Sequence, residues 1–434
     1  MKIIYLNDAD YQQNLQALSR RPACPPHIEE AVTEIVRQVR ERGDAAICEF
    51  VKRFDGVDMT PEQYRVTDEE IREARSLVSR DNRRAIDLAL KHVQEFAKRT
   101  KPASWTYHPR RGVTLGEMYQ PMHRVACYVP GGTAPLVSTS VHTVGIAKAA
   151  GVESIAAMTP PMKNGKINPH TLYALSQAGA TEIYKLGGAY AVAALALGTE
   201  TIEKAELVAG PGNAYVAAAK RLIYGQTAVD MVAGPSEIMI LADGKGNPAF
   251  AAADVLSQAE HGSGLEHAVL VSPDADFLRK VEKEMYRQAE SLTRQGPLQK
   301  VLENGVFFVE VADMDAAAAF AGDYAPEHLE IHCEKPEDVA KKVRAAGAIF
   351  LGEWTPEPAG DFTAGPSHVL PTGGTAKFFH GLTCSDFMRR SSILKYGKTA
   401  LLKELYAMEA IADMEGLDAH KRSASIRRTG GVKK

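Results

Sequence analysis

Cysteine is scarce and scattered. The chain of 434 residues has five, Cys24, Cys48, Cys127, Cys333 and Cys384, and no Cys-x-x-Cys pair. An odd, dispersed set builds no disulfide framework and fits a reduced, cytoplasmic compartment. No stretch approaches the ~18 uninterrupted apolar residues of a membrane span. The start, MKIIYLNDADYQQN, has no signal-peptide core, because its apolar residues give way at once to Asn7 and Asp8. Excess charge of one sign is lacking too: 51 Lys and Arg against 54 Asp and Glu leave a net charge of −3. That balance gives no reason to expect nucleic acid or an anionic membrane as partner. Several signatures are also absent: G-x-G-x-x-G, the Walker loop, the G-x-S-x-G elbow and, among 13 histidines, H-E-x-x-H. No low-complexity segment or short-period repeat appears. What is there is globular, 45% hydrophobic and 24% charged, and long enough for about two to four domains.

Residues 26–55 place apolar side chains at helical spacing up to Asp55-Gly56, and a second helix is expected over about 68–98. From about 124 the texture changes. Short buried-strand patterns (RVACYV, ESIAAM, EIYKL, AELVAG) alternate with helical ones. A second such run follows, through SEIMILAD, EHAVLVS, VFFVEV, HLEIHC and AIFLGE, with helices expected near 275–292 and 336–346. This alternation predicts an α/β fold: two doubly wound Rossmann-like domains with an incomplete nucleotide fingerprint. Small helical N- and C-terminal extension domains flank them. Residues 353–375 read as a Pro/Gly-rich loop, and the last 50 residues read as helical with a solvated basic tail, KRSASIRRTGGVKK.

Three glycine turns sit between a strand and a helix: Gly131-Gly132, Gly187-Gly188, and Gly210 with Gly212. Open sheets bind ligands outside the carboxyl ends of their strands, so these turns could hold a dinucleotide or another phosphate-bearing molecule. Equally, each could be an ordinary tight turn. SQAEHG closes a helical run and puts Gln258 and His261 on one face of its last turn. Together with Asp361, in the loop PEPAGDFTAG, and His420, in EGLDAHKRS, these are metal-ligand types, though a histidine at a helix end also simply offsets the dipole. In DYAPEHLEIH, Pro326 biases Ala325 to an extended shape. Glu327 and His328 follow at a strand mouth, where an acid and an imidazole could move protons; they could also be solvated or half-buried. His332 reads as structural. His368 lies in a loop too long to be idle. Cys127, in a strand beside the first glycine turn, reads as an inert core thiol.

Taken in order, YVPGG, GPGNAYVAAAKR, AGPSEI, LSQAEHG, APEHLEIH, PAGDF, SHVLPT and EGLDAHKRS make the chain resemble the histidinol dehydrogenases from about residue 26 to 428. The resemblance implies NAD⁺-dependent, four-electron oxidation of L-histidinol to L-histidine through the aldehyde. It implies one Zn²⁺ per subunit on Gln258, His261, Asp361 and His420, an oxygen and nitrogen set that zinc accepts. By the same resemblance Glu327 activates water and His328 is the base. Ser236, His368 and Glu415 join His328 and the metal ligands as substrate contacts, and Tyr128 and Asn213 touch NAD. The chain departs from the family at Tyr190, in GGAYA, where the family commonly has a glutamine that touches the cofactor. A phenol lacks the paired donor and acceptor of an amide. The family is a homodimer. The implied division is a catalytic and zinc-bearing domain (24–127 and 236–382), an NAD domain (128–235), a helical extension (1–23 and 383–406) and a segment, 407–434, that completes the partner's site. Rival readings are a sister zinc enzyme acting on another small alcohol, such as a sulfonated propanediol, a zinc-binding homologue without activity, and a zinc hydrolase.

Overall fold

The computed structural model describes residues 1–19, 25–131, 135–261 and 264–429. It divides into two compact units, Met1–Thr100 with Met122–Phe387, and Lys101–Pro121 with Met388–Lys434. Cys24, Gly132 and the last five residues of the basic tail lie outside the described residues.

The first unit contains two parallel sheets. In the larger, the order across the sheet is Lys2–Ile4, Val306–Glu310, His267–Ser272, Glu237–Ala242, His328–His332, Ala348–Leu351. In the smaller it is Glu182–Tyr184, Ser154–Met158, Arg124–Tyr128, Leu207–Ala209, Ala228–Val229. Leaving aside the added edge strand Lys2–Ile4, each sheet starts in the middle, grows to one side and then reverses to the other. That winding is the doubly wound arrangement. Strands such as Arg124–Tyr128 are buried along their whole length, as parallel strands covered by helices on both faces must be.

The helical segment 26–100 departs from expectation in two ways. Gly43, at φ +52°, breaks the first helix into Pro26–Arg42 and Asp44–Phe50, which runs on through a π-helical turn to Asp55. The second helix likewise parts into Asp68–Leu77 and Arg80–Thr100. These helices also pack on the smaller sheet. Ile28, Val32, Ile35 and Val39 share one apolar cluster with Ala126, Val192 and Val216. The boundary that grouped 24–127 with the larger sheet is therefore corrected: the apolar stripe of Pro26–Arg42 finds its cover on the smaller sheet's helices. The expected helices near 275–292 and 336–346 are shorter, Ala275–Ala289 and Pro336–Ala340.

In the second unit, Met388–Tyr396, Val113–Pro121 and Trp105–Arg110 form an antiparallel sheet in that order. The expectation of purely helical ends is corrected here, and again at Lys2–Ile4, which pairs with Val306–Glu310. The run MRRSSILKY has no clean apolar alternation, and all but one of its side chains are exposed or half-buried. Two helices follow, Lys398–Met414 and Asp418–Ser425. Among the described residues no helix is long and apolar enough to cross a membrane.

Candidate active site

The two winding reversals of the first unit open on one cavity of about 430 Å³. The smaller sheet contributes the carboxyl ends of its strands, through Pro130, Pro211 and Asn213. The larger contributes amino ends instead, through Ser236, Glu327 and His328. The short 230–236 link explains this. It runs from the end of Ala228–Val229 directly to the start of Glu237–Ala242, so one sheet's exit edge meets the other's entry edge.

The helix Pro248–Ala259 is started by Asn247, whose side-chain oxygen accepts the Ala249 N–H at 3.0 Å. Its last turn brings Gln258 inward. Gln258 is fully buried, and neither its amide oxygen nor its nitrogen has a hydrogen-bond partner. Leaving a buried amide unpaired costs roughly 1–3 kcal/mol, so such a group calls for a ligand. His261, just past the helix end, and Asp361, on the π-helical turn Ala359–Thr363, line the cavity, whereas Gln258 lies behind its lining. Glu357 joins them: ligand atoms of His261, Glu357 and Asp361 lie within 4.8 Å of one another. An imidazole and two carboxylates make a donor set suited to zinc or a similar divalent cation. His420 belongs to the second unit. There it is exposed on Asp418–Ser425 and shares a surface hollow with Glu415.

His328 is 3% exposed and held from several sides. Its Nδ1 lies 3.0 Å from the carbonyl oxygen of Glu237, and its Nε2 lies 3.4 Å from Asp361. The neutral ring therefore carries its proton on Nδ1 and turns a bare Nε2 to the cavity. Burial would lower its pKa, but Glu327, Asp361 and Glu357 outweigh burial and raise it well above the usual histidine value. Asp361 moves the other way, to about 2: burial would raise it, but His328 lowers it more. Glu327 accepts the Glu237 N–H at 2.9 Å, and burial pushes it up to about 8. The pair is presented by an unusual corner. Ala325 caps Met314–Tyr324 in the left-handed region, at φ 54°, the one non-glycine there among the described residues. The extended shape expected before Pro326 is thus corrected. The corner lets the helix end at buried Tyr324 turn straight into His328–His332.

His368 lines the cavity with its ring edge-on to buried His142, centroids 4.6 Å apart. Burial lowers His368, and burial with His368 lowers His142 to about 3. Asn213 caps Ala214–Ile223, accepting N–H groups of Tyr215 and Val216 at 3.1 and 3.2 Å, and lines the cavity. Tyr128 and Tyr190, the expected cofactor contacts, are both buried and do not line the cavity. Tyr190 is 1% exposed, stacked on Phe54 and tilted against Phe50, with its hydroxyl on Asp55. The two phenol oxygens accept the N–H groups of Gly187 and Gly188, at 3.2 and 3.0 Å. Those amides, at the start of Gly188–Leu197, are thus engaged by the two phenols. Cys127 is buried, with its thiol pushed up to about 12, as an inert core thiol should be.

Glu357, Glu237 and His142 escaped the sequence reading. Glu357 sits four residues before Asp361 in a segment with no periodic pattern, and only the helical turn there folds the two together.

Comparison with known proteins is consistent along the whole chain. The histidinol dehydrogenase family pattern matches residues 18–428. A histidinol dehydrogenase of Syntrophotalea carbinolica is 42% identical over 428 residues, covering 98% of this chain and 99% of its own. One from Bacillus cereus is 44% identical over 432 residues, with 98% and 99% covered. The crystal structure of histidinol dehydrogenase from Elizabethkingia anophelis superposes with a TM-score of 0.93 at 33% identity, covering 99% and 98%.

Proposed function

Given that the chain belongs to the histidinol dehydrogenase family and so catalyses the NAD-dependent oxidation of histidinol to histidine, we propose that the cavity at the two winding reversals is where it does so. One observation carries this reading: Nε2 of His328, facing Asp361 across 3.4 Å, and the unpartnered amide of Gln258 are both buried.

Gln258, His261 and Asp361 would hold one Zn²⁺, with His420 as the fourth ligand and Glu357 beside them. Bound there, the cation would orient the imidazole and amine of histidinol and draw Asp361 away from His328. Nε2 of His328 then takes the hydroxyl proton as hydride leaves for NAD⁺. The Nδ1–H bond to the Glu237 carbonyl keeps the ring in the tautomer this needs. The aldehyde must be hydrated before its second oxidation. Glu327, the preceding residue, fixed by the Glu237 N–H, is the base for that water. His328 takes the second proton after unloading the first. Ser236 and His368 border the space left for substrate, and Asn213 borders the cofactor side. Glu415 and His420, which share one hollow of the second unit, would complete the site of a partner subunit in a cytoplasmic homodimer. The sister-alcohol reading is not favoured, since relatives matched end to end are histidinol dehydrogenases.

The test is the yield of NADH from limiting L-histidinol, with bound metal measured in parallel. Two NADH per substrate, lost with the metal on chelation and regained with Zn²⁺, is the expected result. Full yield from metal-free protein would overturn the metal assignment.

A further inference from the structure

The strand His328–His332 has one polar and one apolar face. Leu329 and Ile331 enter an apolar cluster, while His328, Glu330 and His332 point the opposite way, and all five are buried. A buried strand with an ionisable group at every second position is costly unless those groups have work to do. The first of them reaches the cavity. The others do not line it.

Glu330 has no exposed surface. One of its carboxyl oxygens accepts the backbone N–H of Glu357 at 2.7 Å. The other lies 3.1 Å from Nε2 of His332, which is 3.8 Å from Asp254 on Pro248–Ala259. Glu357 precedes the turn Ala359–Thr363, so its N–H has no ladder or helix partner, and Glu330 is what satisfies it. The Glu357 side chain is then placed at both ends. Ser257 donates its hydroxyl to one oxygen, and the other sits 3.7 Å from Nδ1 of His328.

We propose that Glu330 is a positioning residue for the oxidation: by accepting the Glu357 N–H it fixes the Glu357 carboxylate against His328 and beside the cation ligands. The proposal rests on the reading above that His328 moves the proton. Glu330 acts as an acceptor in this role, so the amide of glutamine can replace it and a thioether of similar length cannot.

A double-mutant cycle on the zinc-loaded enzyme tests this. Glu330→Met should lower kcat for histidinol about tenfold or more, with KM changed less than about threefold, since a small misplacement near reacting atoms costs rate more than binding. Glu330→Gln should stay within about threefold of the parent in kcat. In a Glu357→Ala background Glu330→Met should cost less than about twofold, because its action through Glu357 is already gone. A parental kcat in Glu330→Met, or the same loss in both backgrounds, would overturn the proposal. If Glu330→Met does not fold, Glu330→Gln decides alone: a parental pH profile of kcat supports the acceptor role, and a tenfold loss overturns it. His328→Gln, assayed alongside, tests the underlying reading separately. If it keeps parental turnover, the base assignment fails and the positioning role falls with it.

Discussion

At the scale of single residues, Glu327 and His328 are neighbours in sequence with opposite demands. A base that activates water must be ionised, yet burial holds Glu327 up at about 8. Hydration and oxidation of added histidinaldehyde should therefore rise with pH through that region. Glu327→Gln should lose this rise and about 10²-fold or more in rate, with less effect on the alcohol step. Stopped-flow NADH traces from the two substrates separate the steps. An unaltered aldehyde profile in the variant would remove Glu327 from that role. The sequence made both residues legible, because an acid-imidazole pair after a proline is a local pattern. It could not show Glu357, whose place beside His328 depends on a turn folding back from another segment. Tyr190 was not legible as a core residue for a related reason. Its position in the motif is right, but Asp55 and two phenylalanines draw the ring into the core.

At the scale of elements, the turn at Gly210 shows how the cofactor side is built. Gly210 has φ +118°, and a Cβ there would come within 2.2 Å of the Tyr128 carbonyl oxygen. Its N–H donates to Asp230 at 2.8 Å, and its carbonyl accepts from Lys220 at 2.9 Å. Lys220 and Asp230 also pair with each other, both buried. The pair thus clamps the turn that leads to Asn213. Lys220→Met should cost roughly 3–5 kcal/mol of stability, because it strands a buried carboxylate. Thermal unfolding measures that cost. If the variant folds, its KM for NAD⁺ should rise while that for histidinol holds. A stability loss under about 1 kcal/mol would mean that Asp230 finds water or another partner. The glycines were readable as turns from the sequence. Their clamp was not, since Lys220 looks like any basic residue at a helix end.

At the scale of the whole molecule, both windings were legible from alternating strand and helix patterns, because covered parallel strands leave nearly continuous apolar runs. Which sheet the first hundred residues would cover was not, since an apolar stripe fits either. If Glu415 and His420 act in a partner's site, two dead variants should rescue each other. His328→Ala mixed with His420→Ala should recover up to about a quarter of parental activity after subunit exchange, if pairing is random. No recovery after exchange proven by mass spectrometry would exclude shared sites. The meeting of one sheet's exit edge with the other's entry edge has an electrical side. Val137–Ala150 and Ala214–Ile223 begin at the cavity, whereas Pro248–Ala259 ends there. Positive helix ends face negative ones across the same gap. On the proposed reading a cationic amine would be drawn to one wall and a pyrophosphate to the other before any side chain touches them. Hydride passing from alcohol to nicotinamide would then carry negative charge toward the positive wall, and the fold's own field would stabilise that shift of charge in the transition state.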